Sequence, residues 1–222
     1  QNKDRILGLF FEKEILSKSQ IVELTGFSLP TVNGHMKELE AEGLIAPGQL
    51  MDSSGGRPAV SYSLLAQSRL AVGGEIRRHF IKLVLCDLKG NAVKLETVNQ
   101  EYFDDVSYSQ RLNTVLKDFI EGCGYSKETI LGIGIALQAV VRKQGDRIIF
   151  SKIIPTTKLS LDEIKKGISI PVRLCHDVKT AALAEIWNNR TFSNAVYVAL
   201  SEHMVRPLIT NGNVYIAQPP LF

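Results

Sequence analysis

A chain of 222 residues, 45% hydrophobic and 22% charged, fits one large or two modest folded domains and excludes a disordered or low-complexity architecture. Its formal charge of +3 is unevenly spread: residues 1–68 hold six basic against eight acidic side chains, net −2, and the remainder holds +5. Bulk charge therefore gives no support to nucleic-acid binding by the N-terminal part, and local geometry would have to supply it. The longest apolar stretch without a charge inside the folded part, Thr129 to Val141, is too short to cross a bilayer as a helix, and the polar Gln1 to Arg5 leads straight into a helical pattern with no signal peptide expected. Cys86, Cys123 and Cys175 are odd in number and far apart, which argues against a disulfide frame or a cysteine-rich zinc site and makes a reducing cytoplasm the expected location.

In chain order, Asn2 to Glu12 places Ile6, Leu7, Phe10 and Phe11 at helical spacing. Ser17-Lys18-Ser19-Gln20 has the capping-box pattern and opens a short helix that stops at Gly26. Ser28 can cap a third helix running to Gly43, whose projection at about 100° per residue puts Leu29, Val32, Met36 and Leu39 on a buried side. The two short helices and their glycine turn form a helix-turn-helix candidate. Leu44 to Met51 and Ala59 to Leu65 can be strands, joined by Asp52-Ser53-Ser54-Gly55-Gly56-Arg57-Pro58, a hairpin tip by composition. Residues 1–68 thus read as a winged helix-turn-helix domain.

From residue 69 to 222 strands and helices alternate. Leu70 to Ile76, Ile81 to Asp87 and Ala92 to Val98 are successive strands, Ser107 to Gly122 a helix, and Ile130 to Val141 a buried strand followed by a hairpin to Phe150. Leu161 to Gly167 is a helix, Pro171 to Cys175 a strand, Val178 to Asn188 a helix, and Ala195 to Leu200, Leu208 to Thr210 and Val214 to Ile216 strands. This is an α/β domain with a mixed sheet.

The outward face of the third helix holds Pro30, Thr31, Asn33, Gly34, Lys37 and Glu38, after the capping Ser28. Asn can read adenine bidentately, Thr can meet a thymine methyl or a phosphate, and Lys can meet guanine or phosphate. Gly34 costs about 1 kcal/mol relative to Ala in a helix interior, which close approach of the backbone to a groove would explain. Arg57 at a glycine-rich tip can enter a narrow minor groove. The alternatives are a packing or dimerisation helix with a solvated face, and a solvated turn at Arg57.

The run from Ser17 to Ile45, followed by Ser53 to Ala59, resembles the N-terminal half of the ROK family of transcriptional repressors (repressor, open reading frame, kinase). The resemblance continues through Val72-Gly73-Gly74-Glu75-Ile76, Gly132 to Ala136, Pro171-Val172-Arg173 and Asp177 to Ala182, nearly the whole chain in order. It implies a winged helix joined to an actin-like, ribonuclease-H-like sugar-kinase-type α/β domain that is expected to continue past Phe222. It also implies operator DNA as a partner, a sugar or sugar phosphate as effector, and a homodimer or higher homo-oligomer.

Kinase members of such a family hold ATP on two glycine-rich loops and use an Asp as base. The first loop is D-x-G-G-T, for which this chain offers Ala71-Val72-Gly73-Gly74-Glu75, a carboxylate where phosphate would lie. The second is replaced by Ser201 to Pro207, without a glycine. Asp177 matches the base and His176 stands where the family has an Asn sugar ligand, so both are effector-binding candidates. The competing reading of Asp177 is an N-cap of the helix from Val178. Ala181, Ala182 and Ala184 read as close packing against the sheet. The zinc motif of the family is not represented, and no metal or cofactor is expected. A sugar-responsive DNA-binding repressor without enzymatic activity is the expectation, with an ATP-dependent sugar kinase bearing a DNA-binding appendage as the alternative.

Overall fold

The computed structural model describes residues 2–51, 58–151, 156–189, 194–199 and 207–215, and the chain divides into two units, Gln1–Arg69 and Leu70–Phe222. In the first, α1 (Asn2–Glu12) buries Ile6 and Phe10, while Leu7 and Phe11 flank that stripe. A two-residue strand, β1 (Leu16–Ser17), leads into α2 (Lys18–Thr25). The expected capping box is present: Ser17 N–H donates to Gln20 Oε1 at 2.8 Å, and Gln20 N–H donates to Ser17 Oγ at 3.3 Å. Two donors that a helix start leaves open are thereby satisfied. Gly26 closes α2 at φ 71, a left-handed conformation that would cost an L side chain about 1–2 kcal/mol.

Ser28 caps α3 (Leu29–Ala41) by accepting Thr31 N–H at 3.4 Å, and Pro30 lies in the first turn, where no N–H is needed. Val32, Met36 and Leu39 are fully buried. Leu29, expected beside them, is 51% exposed. As the first helical residue its side chain leans back over the preceding turn, past the end of the packed stripe. After α3, β2 (Ile45–Met51) and β3 (Ala59–Leu64) pair antiparallel from Ile45↔Leu64 to Met51↔Ala59. Their register shifts between Pro47 and Leu50, where proline has no N–H to give the ladder. β1 adds a third strand through Leu16↔Tyr62 and Ser17↔Ser61, giving the order β1-β3-β2. Two residues are too few for a period-two pattern, so this strand is invisible in the sequence.

In the second unit, β4 (Leu70–Ile76), β5 (Phe80–Asp87) and β6 (Ala92–Asn99) form an antiparallel meander. Asp105 caps α4 (Val106–Glu121) by accepting Ser107 N–H at 2.8 Å, and β7 (Ile130–Leu137) runs parallel to β4. The expected strand to Val141 is cut at Leu137. Ala139 N–H turns back onto Leu137 O at 2.8 Å, and β8 (Val140–Val141) then pairs with β9 (Ile148–Phe150) in a ladder of its own. α5 (Leu161–Lys165), β10 (Val172–His176) and α6 (Asp177–Asn188) follow. β11 (Ala195–Val196), β12 (Leu208–Thr210) and β13 (Asn213–Tyr215) make a small antiparallel sheet. Leu200 and Ile216, expected to end two of these strands, lie outside the described residues.

The main sheet is mixed, in the order β10-β7-β4-β5-β6 with the first three strands parallel. Alternation along β4 sends Leu70, Val72 and Ile76 one way and Ala71, Gly73 and Glu75 the other. The first set joins Ile81, Leu83 and Leu85 of β5, Ile133 and Ile135 of β7, and Leu112, Leu116 and Phe119 of α4 in one buried cluster. Each such side chain contributes about 1.5–3 kcal/mol on burial. The opposite face of the sheet is lined with small residues. No helix among the described residues is long and apolar enough to cross a membrane.

Candidate nucleic-acid interface and ligand cleft

Burial of Val32, Met36 and Leu39 turns the other side of α3 outward. Pro30, Gly34, Lys37 and Glu38 are exposed, and Thr31 and Asn33 partly so. Among the described residues, the side chains of Asn33 and Lys37 make no hydrogen bond or ion pair with the protein. An added Cβ on Gly34 would meet nothing within 4 Å, so no packing in the unit requires glycine there. Two candidates are engaged otherwise. Ser28 Oγ holds the cap and lies 2.8 Å from Thr31 Oγ1, so its first task is to start the helix, and Thr31 shares its hydroxyl with that cap. His35 Nδ1 sits 3.1 Å from Glu38 Oε2, occupying the one carboxylate on that face. Arg57 and the tip from Asp52 lie outside the described residues.

In the second unit the small residues Gly73, Gly134 and Ala136 of the sheet face Ala181 and Ala184 of α6 across a cleft of 720 Å³. The expectation that all three alanines pack therefore holds only for Ala182, which is fully buried with Ile209 and Val214. At the end of β4, Arg77 Nε and Nη2 donate to Glu75 Oε1 at 2.8 and 2.5 Å. Its Nη1 lies 3.8 Å from Asp177 Oδ2, and the Asp177 side chain is only 11% exposed. The helix begins one residue earlier than expected: His176 is the N-cap residue, with Nδ1 3.2 Å from Val178 N. Asp177 Oδ1 takes Val178 N–H at 2.7 Å, with His176 Nδ1 3.0 Å from the same oxygen. The N-cap role expected of Asp177 thus falls to His176, while Asp177 opens the helix with Oδ1 on Val178 N–H and Oδ2 toward Arg77 in the cleft.

Gly73 and Gly74 lie inside β4, in register with Val84 and Leu83 of β5 and Gly134 and Ile135 of β7. The turn between the strands is Arg77-Arg78-His79, and Arg77 N–H closes it on Phe80 O at 3.0 Å. The glycines are there because a Cβ on Gly73 would come within 3.0 Å of Val84 Cγ1. Glu75 is neutralised by Arg77 and does not stand as a lone negative charge. Ser201 to Arg206, the position of the second loop, lies outside the described residues. No cluster of metal-ligating side chains occurs among the described residues.

A model of the ROK family matches residues 71–218, two-thirds of the chain, and one of winged helix-turn-helix DNA-binding domains matches residues 2–46. The chain belongs to the ROK family. The chain is 24% identical over 221 residues to a xylose repressor of Caldicellulosiruptor bescii, covering 96% of this chain and 55% of that protein. It is 21% identical over 206 residues to the DNA-binding transcriptional dual regulator NagC of Escherichia coli, covering 91% and 51%. Among solved structures, a ROK family transcriptional regulator described as a homologue of the E. coli MLC protein superposes with a TM-score of 0.75 at 20% identity, over 96% of this chain and 55% of that one. The chain spans about half the length of the relatives it matches.

Within this ROK domain, Arg77 is the cleft-lining residue that sequence reasoning missed. Its signal was available: two adjacent arginines at the tip of a hairpin between strongly alternating strands. The strands on either side were expected where they lie, but the chemistry was sought in Gly73-Gly74-Glu75 and the turn residues after Ile76 were not weighed.

Proposed function

We propose that this chain is the DNA-binding and effector-sensing part of a ROK-type repressor of carbohydrate metabolism. Its α3 would lie in a major groove and a sugar or sugar phosphate would occupy the cleft at Asp177 and His176. The observation that carries the DNA-binding half is the uncommitted face of α3: Asn33 and Lys37 point outward without protein partners around an exposed Gly34. Relatives named as repressors of xylose and as the regulator NagC support the regulatory half. The effector acts only through unequal affinity for the DNA-competent and DNA-incompetent states.

With net charge −2 on residues 1–68, one winged helix has little long-range attraction for DNA, so two copies joined as a homodimer gain affinity through effective concentration. Arg57 from each wing is assigned to a minor groove, with half-sites near a whole number of turns of about 10–10.5 base pairs apart. Phosphoryl transfer is not part of this function, because Ala71 and Glu75 replace the Asp and Thr of the first phosphate loop and Ser201 to Pro207 has no glycine where the second would stand. The test is operator selection and footprinting with the full-length protein, with and without a panel of sugars, beside a coupled ADP-release assay. Paired, sugar-sensitive footprints and no turnover are expected. Sugar-dependent turnover lost in Asp177→Ala would establish the kinase alternative instead.

A further inference from the structure

We propose that the cleft selects a neutral polyhydroxy ligand over its phosphorylated form, with Arg77 touching the ligand and Glu75 acting as the positioning residue that cancels the charge of Arg77. This deepens the sugar-responsive reading above and rests on it. Four charged side chains line the cleft among the described residues, and they alternate in sign. Lys82 stands opposite Glu75 in the β4–β5 register, Glu75 is bonded to Arg77, and Arg77 faces Asp177. The described part of the wall is therefore neutral.

A phosphomonoester brings about −1.5 to −2 charge at pH 7. Proteins hold such a group with an arginine fork, a glycine-rich backbone cradle or an open helix N-terminus. These three are already used here, and the one other cation of the described wall, Lys82, stands opposite Glu75 with Nζ 5.7 Å from the Phe80 ring centroid. The Nε and Nη2 edge of Arg77 is turned onto Glu75. The glycines of β4 lie within the paired sheet. The N-terminus of α6 is occupied by its own Asp177, whose Oδ1 takes Val178 N–H at 2.7 Å. Hydroxyl groups meet the opposite situation. Asp177 Oδ2 can accept from one hydroxyl and Arg77 Nη1 can donate to the next oxygen, and at 3.8 Å the two are too far apart to satisfy each other. The floor of Ala136, Ala181 and Gly134 offers a smooth apolar surface to the carbon face of a ring.

The experiment is calorimetric titration of the full-length protein with free aldoses and amino sugars, each beside its own monophosphate, and with inorganic phosphate alone. For wild type, at least one free sugar should bind and its phosphate should bind at least 10-fold more weakly. Glu75→Gln should uncover a positive charge and shrink that ratio at least 10-fold, while Arg77→Ala should weaken the free sugar at least 10-fold and Arg77→Lys, which keeps a cation beside Asp177, should recover part of that loss. A wild-type protein that prefers the phosphorylated partner, that binds nothing in the panel, or whose preference survives Glu75→Gln unchanged would overturn the proposal. Operator binding without ligand is measured on the same preparations. Its loss defeats the DNA-binding reading alone, and its retention beside a failed titration defeats the cleft proposal alone.

Discussion

The outward face of α3 and the wall of the cleft are both polar, yet their side chains are committed in opposite ways. On α3, Asn33 and Lys37 leave their hydrogen-bonding groups to solvent, and Gly34 leaves open space where a side chain would be. In the cleft, Glu75, Arg77 and Asp177 are each within bonding or ion-pair distance of another charge. Exposure explains the difference: a donor in water needs no protein partner, whereas a carboxylate that is 11% exposed is costly unless paired. A groove-reading face can therefore be built from independent residues. A sheltered ligand site must be built as a network, and changing one member changes the charge seen by the others.

The comparison can be broken most sharply within α3 itself. Met36→Ala, on the buried side, should lower the stability of the first unit by about 2–5 kcal/mol, read as a shift in the denaturant midpoint. A cost below about 1 kcal/mol would mean that the stripe is not packed as described. Asn33→Ala, one face away, should leave that midpoint within about 0.5 kcal/mol and cost about 1–3 kcal/mol of operator affinity at a single base position, read by binding to a set of point-substituted operators. Uniform losses across that set would reduce Asn33 to an anchor.

Two glycines sharpen the argument. Gly8 in α1 and Gly34 in α3 are both helical with nothing within 4 Å of an added Cβ. Gly8→Ala and Gly34→Ala should each stabilise the protein by about 0.5–1 kcal/mol, measured by thermal or chemical denaturation. Only Gly34→Ala should weaken operator binding. Equal operator affinity for both variants would remove the close approach of α3 to DNA. The smallest effect is expected for Lys37→Ala, which should weaken all sequences alike and lower the salt-dependence slope of binding by about 1 if it meets one phosphate. A base-selective loss would instead move Lys37 into the set of residues that read sequence.

Much of the first unit was legible because its signals are local. Ser17 and Gln20 form a capping box from a four-residue pattern, Ser28 caps from its place before Leu29-Pro30, and Gly26 adopts the left-handed φ that ends α2. Leu29 was misread because helical projection knows the angle of a residue but not where its packing partners stop. Of the two candidates taken from the family resemblance, Asp177 lines the cleft and His176 is not among its lining residues. Arg77 was not among the candidates, since its role depends on β4 and α6 bringing residues 75, 77 and 177 together.

The sequence by itself determined the order of elements, the buried stripes and the caps, because periodicity and hydrogen bonding within a few residues are properties of the local chain. Tertiary structure alone decided that β7 ends at Leu137, and that Ala181 and Ala184 face open space while Ala182 is buried. It also decided that Glu75 is cancelled rather than bare. Each of these depends on which groups from distant parts of the chain come within a few ångströms, and neither burial nor charge pairing between such groups has a signature in residue spacing.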